Sequence, residues 1–354
     1  MGRAPESAAA PESDAYPGAP HPRLAAGLIG HALAEKTLLD AFRSEKLAHA
    51  WLIGGPEGVG KATLAWRFAR FLLAHPDPQT TRRAQDLAVD LEGPVARQIL
   101  ALAHPDLAIL RRNWNPQSKN FYTEIRVEDV RNALQLFQKS AGAGGWRVCI
   151  VDSAEDLNRA GANALLKMIE EPPPRSLFLI LAHKPGQVLP TIRSRCQRLA
   201  LARLAPNDIA AIIAGLGENW SGLGAEAIAR AASRADGSVR EALKRVDPAA
   251  AEMGAMIEAA VARLPNPDFR EIHKLADAVS ARGAGDAFDA LMNAVYDWLA
   301  ARARSGEAAA RLASIADLWD KIRAATRETE TYNLDKKLHV LSVFAELSAA
   351  ARRL

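Results

Sequence analysis

One octapeptide constrains this chain more than any other feature: Gly55-Pro56-Glu57-Gly58-Val59-Gly60-Lys61-Ala62. It follows the short apolar run Ala50-Trp51-Leu52-Ile53 and opens a helical pattern from Lys61 to about Ala74, with apolar residues at Leu64, Ala65, Phe68 and Leu72. A strand, a glycine-rich turn and a helix in that order form the context a phosphate-binding loop needs. Glycines let the backbone curl so that successive N–H groups point at one anion, and the helix N-terminus behind them adds partial positive charge. Lys61 would reach the outer phosphates. A glycine-rich turn arising by chance would not bring strand, helix and lysine together. Gly55, Gly58, Gly60 and Lys61 are therefore the first candidate nucleotide-binding residues, and a fold that supplies parallel strands and crossover helices is required around them.

Further strand-like runs alternate with helical patterns. Leu107 to Leu110, Arg147 to Asp152 and Leu177 to Ala182 read as strands; Val127 to Lys139 and Arg159 to Glu170 read as helices, the second stopped by Pro172-Pro173-Pro174. This order predicts a mostly parallel sheet covered on both faces. Beyond about Leu204 the strand signals cease. Short helices broken by glycines follow, then an Ala-rich region with helical spacing at Phe288, Leu291, Met292, Val295 and Leu299.

The loop departs from a hydrolytic pattern at its last position. A Ser or Thr hydroxyl there binds magnesium, and this chain has Ala62. Thr63 follows, but one residue along a helix is a turn of about 100°, so it does not simply inherit the ligand role. A second departure lies on the strand ending at Asp152. Asp152 alone reads equally as a helix cap; beside the phosphate loop it reads as an acid that holds magnesium through water. The residue that would orient the attacking water is Ser153, and the nearest acids, Glu155 and Asp156, stand at the wrong spacing. Binding of ATP or ADP, weak or vestigial, with magnesium only alongside nucleotide, is the expectation; efficient hydrolysis is not.

Several further segments resemble those of the bacterial clamp-loader ATPases, a branch of the AAA+ family that serves DNA polymerase III. They are His49-Ala50-Trp51-Leu52 before the loop, Ala162-Asn163-Ala164-Leu165-Leu166-Lys167-Met168-Ile169-Glu170-Glu171-Pro172-Pro173, Arg193-Ser194-Arg195-Cys196, and Asp236-Gly237-Ser238-Val239-Arg240-Glu241-Ala242-Leu243. Their order agrees over roughly Leu28 to Asp247; the C-terminal third carries no quotable motif. The resemblance implies a P-loop AAA+ domain over residues 25–203, a small helical lid over 204–252, and an all-α collar used for oligomerisation over 253–354. Residues 1–24, rich in Ala, Pro, Gly and Ser, are expected to be a disordered tail. It further implies that Asp152 is the remaining Walker B acid, that Arg240 is the sensor-2 arginine, and that Arg195 is an arginine finger reaching a neighbour's ATP site. His183 and Lys184 stand where a polar sensor-1 residue would be.

Within that family, the motor subunits keep Gly-Lys-Thr and Asp-Glu and carry a four-cysteine zinc module. Ala62, Ser153 and the lack of cysteine between Lys61 and Cys149 resemble instead the delta-prime type, without zinc. The resemblance then implies an accessory subunit of the polymerase complex with little ATPase activity of its own. It would act as a stator in a ring with gamma/tau and delta subunits, which sets the sliding clamp on primer-template DNA. A divergent gamma/tau-type motor is the alternative. A DNA-binding regulator is disfavoured: net charge is only +4, and no helix-turn-helix signature is present. The two cysteines, Cys149 and Cys196, suit a cytoplasmic protein, and Cys196 reads as a packed apolar residue. No apolar run is long enough to span a membrane.

Overall fold

The computed structural model describes residues 11–117, 120–138, 145–281, 284–304, 309–332 and 334–351. The chain divides into two compact units, residues 1–243 and 244–354.

The strands of the first unit are β1 (Ala50–Gly54), β2 (Leu107–Arg111), β3 (Trp114–Asn115), β4 (Asn120–Phe121), β5 (Arg147–Asp152), β6 (Ser176–Ala182) and β7 (Gln197–Ala200). Its helices begin with α1 (Ala32–Arg43), α2 (Lys61–Ala74), α3 (Pro94–Leu100), α4 (Val127–Leu134), α5 (Arg159–Glu170) and α6 (Pro190–Arg195). Then follow α7 (Pro206–Ala214), α8 (Glu218–Ser221), α9 (Ala225–Arg234) and α10 (Val239–Val246), the last running across the boundary between the units.

Five strands form one parallel sheet in the order β2-β5-β6-β1-β7. Strand alternation divides the core. Trp51, Ile53, Val148, Ile150, Leu177 and Leu179 face the side covered by α1, α2 and α3. Ala50, Leu52, Cys149, Val151, Phe178 and Ile180 face α4, α5 and α6, and Phe178 stacks on Phe137 with ring centroids 4.7 Å apart. Burial on both faces explains why these strands are continuous apolar runs. The register pairs Gly54 with Ala182, Ile180 with Val151, and Arg111 with Asp152. The carboxyl ends of β1, β5 and β6 thus open onto one edge, where α/β folds build their ligand sites. β3 and β4 pair as a separate two-stranded ribbon.

The sequence-predicted helices are recovered with shifts at their ends. The pattern from Val127 tightens into a 3₁₀ turn over Gln135–Gln138, and Lys139 lies outside the described residues. Asn158 caps α5, its side chain accepting from Gly161 N–H at 2.7 Å, and the prolines end that helix as expected. The expected tail differs. Residues 1–10 lie outside the described residues, but 11–24 are ordered, with a 3₁₀ turn at Pro22–Leu24. Ion pairs to Arg111, far along the chain, hold the segment, and its Ala- and Pro-rich composition gives no sign of them.

The second unit is all-α: α11 (Pro248–Ala262), α12 (Phe269–Ser280), α13 (Gly285–Arg304), α14 (Ala309–Thr331) and α15 (Lys336–Ala351). Its own core includes Ile272, Leu275, Phe288, Leu291, Val340 and Phe344. No described helix is long and apolar enough to cross a membrane.

Candidate functional site

β1 runs straight into the phosphate loop, and the loop turns through glycines that nothing else could replace. Gly58 and Gly60 have φ of +76° and +106°, a region that costs any residue with a Cβ. A Cβ on Gly55 would stand 2.5 Å from the Leu201 carbonyl oxygen. His31, buried at the start of α1, donates from Nε2 to the Val59 carbonyl at 2.7 Å and steadies the loop from outside.

Lys61 is 3% exposed and folds back on its own loop, donating to the carbonyls of Gly55 at 2.7 Å and Pro56 at 2.6 Å. Burial pulls its pKa down to about 8, against the pull of Asp152, Glu57 and Glu155. Asp152, at the end of β5, is pushed up to about 7 by burial, with Asp14 adding to the rise and Lys61 opposing it. Ser153 is buried and its hydroxyl bonds the Asp156 carboxylate at 3.3 Å. Glu155 accepts from the Lys184 N–H at 2.5 Å. His183 lies in the same cluster; burial and the Lys61 charge lower its pKa.

The lid sits directly on the loop. Val239 N–H at the start of α10 donates to the Gly58 carbonyl at 2.9 Å. A Cβ on Gly58 would meet the Ser238 hydroxyl and come within 2.7 Å of Arg240 Cβ. Arg240 Nε pairs with Glu57 Oε1 at 3.2 Å, and its guanidinium lies over the Tyr16 ring.

Gly55, Gly58, Gly60, Lys61, Asp152 and Arg240 are therefore brought together. Ala62 and Thr63 open α2; Ala62 packs against the core on the α1 and α2 side of the sheet. That position offers a methyl group where magnesium needs a hydroxyl, and Ser153 offers none of the carboxylate chemistry that orients water. The donor set does not fit a hydrolytic magnesium–nucleotide centre. Sequence reasoning missed Glu57, Asp14 and Tyr16. Glu57 lies inside the motif but varies freely in its pattern, and the other two lie in the supposed tail.

Arg195 belongs to a different place. It ends α6, with its side chain 43% exposed, and pairs through Nη2 with Glu170 Oε1 at 2.7 Å. Its other bonds run to the Thr191 carbonyl and the Ser194 hydroxyl. Cys196 beside it is buried, and burial pushes its thiol up to about 11. That suits a packed residue rather than a thiolate nucleophile.

Residues 30–205 match the protein family "DNA polymerase III, delta subunit". The delta-prime subunit of Pseudomonas aeruginosa DNA polymerase III is 35% identical over 153 residues, 43% of this chain and 43% of that protein. The tau subunit of Bacillus subtilis is 28% identical over 273 residues, 75% of this chain and 45% of that protein. A gamma-subunit-related protein of known structure from Thermotoga maritima overlaps with a TM-score of 0.41 at 16% identity, across 89% of this chain and 100% of that one. The matches span about half the length of these curated relatives, 43% and 45%. Through residues 30–205 the chain belongs to the DNA polymerase III clamp-loader family, on its delta-prime side.

Proposed function

We propose that this chain is a stator subunit of a DNA polymerase III clamp loader, and that it lends Arg195 to the ATP site of a neighbouring subunit. The observation that carries the reading is the placement of Arg195. It stands at the exposed end of α6, held by an equally accessible Glu170, while the chain's own phosphate loop is covered by Ser238 and Arg240 and lacks two catalytic groups. Charge gathers on phosphoryl oxygens as the bond to the leaving group breaks. A planar guanidinium supplied from outside meets that charge with paired donors and never titrates away. The partners on this reading are gamma/tau and delta subunits, and through the assembled ring the sliding clamp and primer-template DNA. The setting is the cytoplasm. ATP or ADP is at most a weak ligand of the chain's own vestigial pocket, magnesium would enter only with it, and no zinc is needed.

The test is a reconstituted complex carrying Arg195→Ala. The variant chain should fold and join the complex. ATP hydrolysis at the adjoining site should fall, where a finger contributes about 10³ to 10⁵ in rate. Total hydrolysis in the ring should fall only in part, because other sites keep their own fingers, and clamp loading should suffer more. Arg195→Lys should rescue poorly, since a point charge lacks the planar fork. Unchanged ATPase and loading rates in an intact complex would remove the finger assignment. The likeness to tau extends over more of this chain than that to delta-prime, which keeps a motor role as the second reading; steady-state ATP turnover by the isolated chain separates the two.

A further inference from the structure

The ordered segment ahead of α1 ties together three parts of the first unit: the end of β2, α2 and the lid. At one end it grips the sheet. Arg111, at the carboxyl end of β2, pairs with Glu12 at 2.7 Å and with Asp14 at 2.6 Å. Arg23 closes the cluster on Glu12 at 2.5 Å. His21 Nδ1 accepts from the Arg23 N–H, which leaves the ring proton on Nε2, facing Asp14 Oδ2 at 3.0 Å. Two carboxylates thus meet two guanidiniums, and the Asp14 side chain is only 2% exposed. Burial works against both carboxylates, but the paired guanidiniums and His21 outweigh it and hold them below their usual range.

Near its C-terminal end the segment lies on α2, with His21 edge-on to Trp66 at 5.6 Å. Its other contacts reach the lid. Tyr16 packs edge-on to Trp220 of α8 at 6.0 Å and lies beneath the Arg240 guanidinium at 5.6 Å. Trp220 Nε1 donates to the Gly18 carbonyl at 2.9 Å. The segment therefore holds the lid from outside at Trp220 and at Arg240, the second of which also faces Gly58.

We propose that residues 12–23 are an intramolecular strap that keeps the lid seated on the phosphate loop, so that the closed arrangement is maintained by the chain itself rather than by a bound nucleotide. In a nucleotide-driven subunit the lid closes because the ligand contacts both halves, and the closed state lasts only as long as the ligand. Here a buried ion cluster and an aromatic contact supply that bridge permanently. A stator with a fixed lid needs this rigidity, but the strap does not depend on the role of Arg195.

The experiment is hydrogen exchange on the full chain without nucleotide. The variant Glu12→Gln with Asp14→Asn keeps the side-chain shapes and removes the charges that grip Arg111. The Val239 amide is the direct reporter, because its partner is the Gly58 carbonyl. Exchange in peptides spanning 55–62 and 237–246 should rise by about tenfold or more, as local opening becomes easier, while β5, β6 and the helices of the second unit stay protected. A rise confined to β2 and α3, or none, would show a mere brace at the sheet edge and overturn the strap. If the double variant loosens the whole unit, Tyr16→Leu decides. It leaves the ion cluster intact, and it should still raise exchange at 237–246; protection there equal to that of the parent chain would refute the proposal.

Discussion

Gly58 shows how much of the site rests on one missing carbon. Its φ of +76° would strain an alanine, and the new Cβ would strike the lid at Ser238 and Arg240. The conformation alone costs about 1–3 kcal/mol, and lifting the lid adds to that. Gly58→Ala should lower the urea midpoint of the first unit by a corresponding amount, without the gain that replacing a glycine gives at permissive sites. Ala62 and Ser153 set a second outcome at this scale. Phosphate release by the isolated chain should stay far below a common enzymatic rate of about 10 per second. Ala62→Thr alone should not restore it, because Ser153 still offers no carboxylate. Turnover at ordinary enzymatic rates in the parent chain would point to the motor reading instead. These two departures were legible in the sequence because the motif fixes which atom each position must supply. The covering of Gly58 by the lid was not, since it depends on contacts between residues far apart in the chain.

Among the elements, α2 departs furthest from what its pattern suggests. The spacing of Leu64, Ala65, Phe68 and Leu72 announces one apolar face, yet Arg67 and Arg70 on the rest of the helix are also buried, at 3% and 1% exposure. Their charges are met by groups outside the helix. Arg67 Nε and Nη2 reach Glu35 Oε1 of α1 at 3.0 and 2.6 Å. Arg70 donates to the carbonyls of Arg23 and Ala25 at 3.0 and 2.8 Å. The segment before α1 thus roofs a helix that periodicity alone would leave half in water. Glu35→Ala should cost about 3–5 kcal/mol, because it strands a buried guanidinium. Pairing Glu35→Leu with Arg67→Met should cost distinctly less, because no charge is then left unpaired. Denaturant unfolding of Glu35→Leu, Arg67→Met and their combination, against the parent chain, gives the coupling energy, and a double variant no better than Glu35→Ala would show that the ion pair is not what matters there. The strands β1, β5 and β6 were legible for the opposite reason: buried on both faces, they read as plain apolar runs. β3, β4 and β7 are too short and too polar to announce themselves.

At the scale of the whole molecule, the chain carries two independent cores, one around the sheet and one within the C-terminal helices. Composition forecast the helices of the second core, but their packing partners follow from no motif. Inside it lies a polar group with a definite pH consequence. His339 on α15 is 8% exposed. Its Nε2 and the Thr326 hydroxyl of α14 stand 3.0 Å apart, and its ring lies 6.0 Å from that of Phe288 of α13. Burial lowers its pKa from 6.5, with Glu346 partly opposing. In the unfolded chain the imidazole takes a proton near pH 6.5, while in the folded unit it resists until lower pH. The neutral form therefore contributes stability that is fully present above pH 6.5 and is lost as pH falls through the depressed folded value. Thermal unfolding of the full chain should show the transition of the C-terminal unit weakening between pH 7.5 and 5.5. His339→Gln keeps a polar group within reach of Thr326 and has nothing to protonate. Subtracting its profile from that of the parent chain isolates the imidazole from carboxylates that titrate nearby, and the difference should grow as pH falls. Parallel profiles would mean that His339 is solvated well enough to charge without cost, and that the core between α13, α14 and α15 is wetter than its packing implies.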